Sequence, residues 1–260
     1  MSVIDTFRLN GRIALLTGGA GRYGRQILLA LAEAGAKVYI ASRNVEALET
    51  VAAEHRAQGH DVTALQYDQG DKDSVLRLVD EIRNREGRID VLVNNAVGRL
   101  TKGADDDADN FAASMAVNAT GLFVLTRAVC DLMSDKGGCS IINIASIFGM
   151  VGYDPWVYEG TDMKWGLPDY SFVKGGMINF TRYIASMYGA KGIRCNTISP
   201  GGLRDPSHPD RFLKQYAKTT CLGRIANSTD LMGAIVFLAS DASAYVTGVN
   251  LPVDGGRTAI

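Results

Sequence analysis

The chain has 260 residues, 47% of them hydrophobic and 21% charged, with a formal net charge of -1. This composition supports a buried core and excludes a long disordered region, and near-neutrality leaves no global field for nucleic acid or an acidic membrane surface, so an anionic ligand must be held locally. The four cysteines (Cys130, Cys139, Cys195, Cys221) form no Cys-x-x-Cys pair and the three histidines (His55, His60, His208) have no metal-ligand spacing, so free thiols in a reducing compartment and no metal site are expected.

The segment from Met1 to Gly11 is polar, and the apolar run Ile13 to Leu16 is too short for a signal or membrane segment. A soluble cytoplasmic protein with one domain over 1–260 is therefore expected. Arg12 to Thr17 reads as a short buried strand because Ile13 to Leu16 is continuously apolar and a glycine cluster follows. Thr17-Gly18-Gly19-Ala20-Gly21-Arg22-Tyr23-Gly24 follows, then an apolar-periodic helix from Ile27 to Ala34. Strand, glycine turn and helix in that order make a phosphate site, since absent side chains let backbone N–H groups approach a pyrophosphate at a helix N-terminus.

The second strand, Lys37 to Ala41, runs toward the place of an adenosine ribose. An NAD site usually carries a carboxylate there; this chain has Ser42-Arg43-Asn44, which suits a 2'-phosphate and favours NADP over NAD. The alternative is that Arg43 is simply a solvated residue at a helix start. Alternation continues with helix 44–58, strand 62–67 closed by Asp68, helix 74–86, and strand 90–93 leading into Asn94-Asn95-Ala96. Right-handed crossovers then give an α/β, doubly wound parallel sheet of about seven strands, with Asp68 and Asn94 at strand ends on the ligand side.

Asp105, Asp106, Asp107 and Asp109 precede a long helical stretch to about Met133; the simplest reading is a solvated helix N-terminus. Asn118 lies within that helix among small and apolar residues. Strand 140–145 delivers Ser146 to the same sheet edge. Helix 169–188 carries Tyr170 and Lys174, four apart and so on one helix face. An ammonium beside a phenol favours the phenolate and is expected to draw its pKa down from about 10. Gly175 and Gly176 inside this helix, each costing about 1 kcal/mol relative to alanine, suggest close backbone approach. Strand 194–198 runs into Pro200-Gly201-Gly202, 230–239 is a further helix, and 248–256 holds a last short strand.

The Thr-Gly turn at 17–24, Asp68, Asn94-Asn95-Ala96, Asn118, Ser146, Tyr170-x-x-x-Lys174, Pro200-Gly201 and Val253-Asp254-Gly255-Gly256, taken together in this order, resemble the short-chain dehydrogenase/reductase family over nearly the whole chain. The resemblance implies a Rossmann-type fold, a nicotinamide cofactor and a homo-oligomer, tetramer or dimer. It implies that Tyr170 is the catalytic acid/base, that Ser146 hydrogen-bonds the substrate oxygen, that Lys174 holds the nicotinamide ribose and lowers the Tyr170 pKa, and that Asn118 positions a relay water. For the cofactor it implies contacts from Gly18, Gly19, Gly21, Arg22, Tyr23, Gly24, Ser42, Arg43, Asp68, Asn94, Ala96, Tyr170, Lys174, Pro200, Gly201 and Leu203.

Three departures from the family pattern stand out. Arg22 occupies the place of the family's middle glycine, and Asp205 falls where a cofactor-holding threonine is common. The third is a longer stretch at 147–169, containing both tryptophans, Trp156 and Trp165. Anchored by Ser146 and Tyr170, this segment is expected on the substrate side. Its aromatic faces and carboxylates suit a sugar-like ring; a surface flap or subunit contact is the alternative. The Tyr158-Glu159-Gly160-Thr161 run is also similar to reductase-like proteins of bacterial surface-sugar and flagellin-modification pathways.

The expected activity is interconversion of a ketone and a secondary alcohol on a small polar substrate, with NADP preferred, no metal, and no nucleic-acid or membrane partner. Two rivals are a sugar-nucleotide dehydratase or epimerase with recycled cofactor, and a non-catalytic NADP-binding sensor.

Overall fold

In the computed structural model, which describes residues 2–260, seven strands form one parallel sheet in the order β3-β2-β1-β4-β5-β6-β7. The strands are β1 (Ile13–Thr17), β2 (Lys37–Ser42), β3 (Val62–Gln66), β4 (Val91–Asn94), β5 (Ser140–Ile144), β6 (Arg194–Pro200) and β7 (Asn250–Val253). The first, fourth and fifth are buried at every residue, as strands covered on both faces require.

The covering helices are α1 (Arg22–Glu33), α2 (Val45–Arg56), α3 (Lys72–Glu86), α4 (Ala108–Met115), α5 (Leu122–Met133), α6 (Pro168–Tyr188), α7 (Asp210–Ala217) and α8 (Met232–Ala239). One sheet face packs on α1, α2 and α8 through residues such as Ile27, Leu31, Val51 and Ile235. The other packs on α3, α5 and α6 through Val75, Ile82, Leu125, Val129 and Ile184. The stretch Ala108–Met133 is long and apolar enough to cross a membrane by length and composition, yet Leu125, Val129, Cys130 and Met133 are buried against the sheet, which makes it a core helix.

Most expected elements are present with ends shifted by a residue or two. The acidic run is a helix start, where Asp107 caps α4 by accepting from the Asp109 N–H at 2.8 Å. Helix α7 was not foreseen. It packs Phe212 and Tyr216 against Val157 of the 147–169 segment, and Gln215 donates to the Trp156 carbonyl at 2.6 Å.

Strand order reverses between β1 and β4, opening a crevice at their carboxyl ends. Thr17 closes its floor: the Asn95 and Ala96 N–H groups each donate to its hydroxyl at 3.0 Å, and the Asn95 amide donates to the Thr17 and Gly18 carbonyls.

Candidate active site

The crevice opens into a cleft of about 570 Å³. Its phosphate end is built by glycines that admit nothing larger. Gly18 has φ +71°, and a Cβ there would stand 3.0 Å from the Asn95 amide; a Cβ on Gly24 would stand 2.1 Å from the Gly18 carbonyl. Gly19 packs on Ile40 and does not line the cleft. Gly21 is the N-cap of α1 and supplies no side-chain cap, so N–H groups of the first turn face the cleft as a ready anion site. Both features fit the pyrophosphate of a dinucleotide.

Arg22 and Asp205, the two departures at this end, are each other's partner: Arg22 Nε lies 3.0 Å from Asp205 Oδ2. The bridge joins the glycine turn to the segment after β6. Tyr23 makes a second tie, donating to the Gly201 carbonyl at 2.8 Å, so its hydroxyl is engaged with protein. Ser42, Ala96, Pro200, Gly201 and Leu203 line the cleft as expected.

Besides Gly19, four expected cofactor or substrate residues do not line the cleft. Asp68 accepts from the Gly70 N–H at 2.9 Å at the end of β3, beyond the last lining residue of β2. The Asn94 side chain turns into the sheet, donating to Thr126 Oγ1 at 3.1 Å and Asn143 Oδ1 at 2.8 Å. Arg43 is exposed next to Ser42 and does not line the cleft. Trp156 is 41% exposed and outside the cleft; it sits in a 3-10 turn, Pro155–Val157, whose buried residue is Val157.

Ser146, Tyr170 and Lys174 meet at the other end of the cleft. Ser146 is brought by β5, and its hydroxyl accepts from the Phe148 N–H at 3.2 Å. Lys174 is buried and donates to the Ile144 carbonyl at 2.6 Å; its Nζ lies 5.5 Å from the centre of the Tyr170 ring. Close approach fixes this helix: a Cβ on Gly149 would stand 2.6 Å from the Lys174 carbonyl carbon, and a Cβ on Gly175 would stand 3.6 Å from the Gly149 carbonyl oxygen. Nothing lies near Gly176.

The ionisation of this pair differs from the expectation. Burial raises the Tyr170 pKa, opposed by the Ser146 hydroxyl and the Arg99 charge. Burial, helped by Arg99, lowers Lys174 from 10.5 to about 8. Desolvation therefore dominates, and burial favours the protonated phenol.

Asn118 stands behind the cleft wall within a π-helical turn, Ala116–Gly121, a distortion that recurs at functional sites. Its side chain accepts from the Gly98 N–H at 2.7 Å and donates to the Gly98 carbonyl at 2.8 Å and to Ser114 at 2.9 Å. The amide is thus engaged in fixing the loop after β4. Ser114 and Thr101 both donate to Asp169, a buried carboxylate beside Tyr170, which ties the same loop to the start of α6.

An aromatic wall completes the cleft. Phe148 stacks on Tyr153 at 3.7 Å and Tyr158 on Trp165 at 5.5 Å, and Phe212 reaches Tyr158 and His208. Trp165, Tyr153 and Tyr158 line the cleft, so part of 147–169 forms one of its walls. Residues missed in the sequence include Arg99, Lys164, His208, Phe212 and Tyr216, all lining. His208 Nδ1 is buried without a partner. Only adjacency to the Asn94-Asn95-Ala96 turn could have marked Arg99.

Residues 23–258 match the sequence model of a family described as enoyl-(acyl carrier protein) reductase. The chain is 34% identical over 266 residues to D-threitol dehydrogenase of Mycolicibacterium smegmatis, covering 99% of this chain and 97% of that one. A short-chain type dehydrogenase/reductase from Mycobacterium marinum superposes with a TM-score of 0.88 at 31% identity, covering 100% of both chains. A gluconate 5-dehydrogenase from Burkholderia cenocepacia, solved with NADP and tartrate, superposes at 0.89 with 32% identity and the same coverage.

Proposed function

The chain belongs to the short-chain dehydrogenase/reductase family and is an NAD(P)-dependent oxidoreductase, and from that premise we propose that it prefers NADP and interconverts a ketone and a secondary alcohol on a small, polyol-like substrate. The observation that carries this reading is the convergence of Ser146, Tyr170 and Lys174 at one end of a cleft whose other end is the glycine turn. Ser42 and the neighbouring Arg43, with no carboxylate at the end of β2, support the NADP preference. The aromatic wall and the relatives named for threitol and gluconate support the substrate class.

A nicotinamide bound in this cleft supplies or takes up the hydride. The chain's part is orientation and the proton. Ser146 Oγ and Tyr170 Oη donate hydrogen bonds to the substrate oxygen, and in the reductive direction Tyr170 gives its proton to the developing alkoxide. A phenol kept protonated by burial is in the right state for that step. Lys174, anchored on the Ile144 carbonyl, holds the ribose side and restores the charge balance when Tyr170 is the phenolate. Asn118 fixes the loop after β4, and Asp169 ties that loop to the start of α6, which carries Tyr170 and Lys174. Exposed Phe123, Phe172, Tyr183 and Met187 on α5 and α6 support a homo-oligomer, and four free cysteines support a cytoplasmic location.

The test is Tyr170→Phe, assayed with polyols and NADP+ or with ketoses and NADPH. Turnover is expected to fall by about 10²- to 10⁴-fold while NADPH binding, followed by its fluorescence, persists; retained turnover would remove Tyr170 from the proton step.

A further inference from the structure

The charge lining the cleft is one-sided. Arg22, Arg99, Lys164, Lys174 and His208 line it, and no aspartate or glutamate does. At the phosphate end the cation has its own counter-ion, Asp205. Arg99 and Lys164 line the cleft as solvent-exposed side chains and have no ion-pair partner among the described residues.

Arg99 is held there by design of the loop rather than by its own contacts. The preceding Gly98 is clamped through both backbone groups by Asn118, and Thr101, two residues on, is tied to Asp169. These ties carry the Arg99 loop to the start of α6, where Asp169 precedes Tyr170, and the Arg99 charge reaches both Tyr170 and Lys174. A cation without a counter-ion in a cleft that also holds Lys174 is disfavoured by like-charge repulsion in the free protein. An incoming anion relieves that repulsion, and the Arg guanidinium offers a forked donor that matches a carboxylate.

We propose that the substrate of this cleft is an acid, a hydroxy or keto acid whose carboxylate is received by Arg99, with Lys164 as the second cation and the hydroxylated chain against Trp165 and Tyr158. The inference rests on reading this cleft as the substrate site and adds the charge that the substrate must carry. It also explains why a chain with a net charge of -1 concentrates basic groups here.

The test uses protein saturated with NADPH, with which a bound alcohol cannot be oxidised. Isothermal titration compares two pairs that differ only at the terminal carbon, D-gluconate against D-glucitol and threonate against threitol. The acid of at least one pair is expected to bind about 10- to 100-fold more tightly than its alditol, as a charge-assisted hydrogen bond predicts. Arg99→Gln is expected to bring that ratio toward one, Arg99→Lys to keep part of it, and Lys164→Gln to reduce it less. Absence of acid-selective binding in both pairs overturns the proposal, as does a ratio unchanged in Arg99→Gln. A loss of NADPH affinity in Arg99→Gln as large as the loss of acid affinity also overturns it, since Arg99 would then serve the cofactor. If Arg99-dependent acid binding stands but neither the acids nor the alditols are turned over with NADP+, the anion site stands and the oxidoreductase reading of this cleft falls.

Discussion

Replacing Lys174 by methionine removes a buried ammonium and leaves the helix backbone unchanged. Lys174 is depressed from 10.5 to about 8 in the folded chain, and at about 1.4 kcal/mol for each tenfold change in proton affinity the folded state is destabilised by roughly 3 kcal/mol when the residue is charged. Below pH 8 both the folded and the unfolded chain hold the proton, so this destabilisation is complete. Between pH 8 and 10.5 the folded chain loses the proton first, the unfolded chain binds more protons, and wild-type stability rises with pH relative to the variant. Against this, methionine leaves the Ile144 carbonyl without the donor now at 2.6 Å, at a cost of about 1–3 kcal/mol at every pH. The two terms nearly offset each other at neutral pH, so the diagnostic quantity is the slope. Urea denaturation of both proteins at one protomer concentration, from pH 7 to 10.5, is expected to show the variant's relative stability falling by about 3 kcal/mol across that window. A difference that stays flat would refute a desolvated lysine. Turnover of the variant is expected to be lower by about 10²-fold or more.

Three further outcomes follow from named contacts. Ser42→Asp sets a carboxylate at the end of β2, where it accepts from a ribose 2'-hydroxyl and repels a 2'-phosphate; fluorescence titration is expected to shift the NADPH-to-NADH affinity ratio about 10- to 100-fold toward NADH, and an unmoved ratio places 2' recognition elsewhere. Asp205→Asn releases Arg22 from its 3.0 Å partner; as the pair is half-exposed, NADPH is expected to bind only a few-fold more tightly, about the effect of a surface ion pair, and weaker binding would show that the bridge chiefly holds the segment after β6. In Gly149→Ala the new methyl meets the Lys174 backbone at 2.6 Å; α6 must shift, with about 1–3 kcal/mol lost by overpacking and a lower kcat, whereas wild-type kcat would mean that the 147–149 turn moves instead.

What could be read directly from the chain was everything set by local spacing. Continuous apolar runs marked β1, β4 and β5, the glycines at 18 to 24 marked the phosphate turn, and the four-residue interval put Tyr170 and Lys174 on one helix face. These depend on backbone sterics and helix period, which act between near neighbours. Helix α7 was overlooked because eight residues of amphipathic pattern are weak until Val157 is there to pack on. The Tyr170 pKa is shifted up, where a downward shift was expected, because the desolvation of a side chain depends on everything packed around it. Trp156 and Trp165 look alike in the chain, and only the stacking of Tyr158 decided which one faces the cleft. Arg22 and Asp205 each looked like a flaw in a pattern until the fold placed them 3.0 Å apart. Pairings between distant segments follow from the closure of the sheet and its loops, and a linear sequence carries that information only jointly, through the whole core.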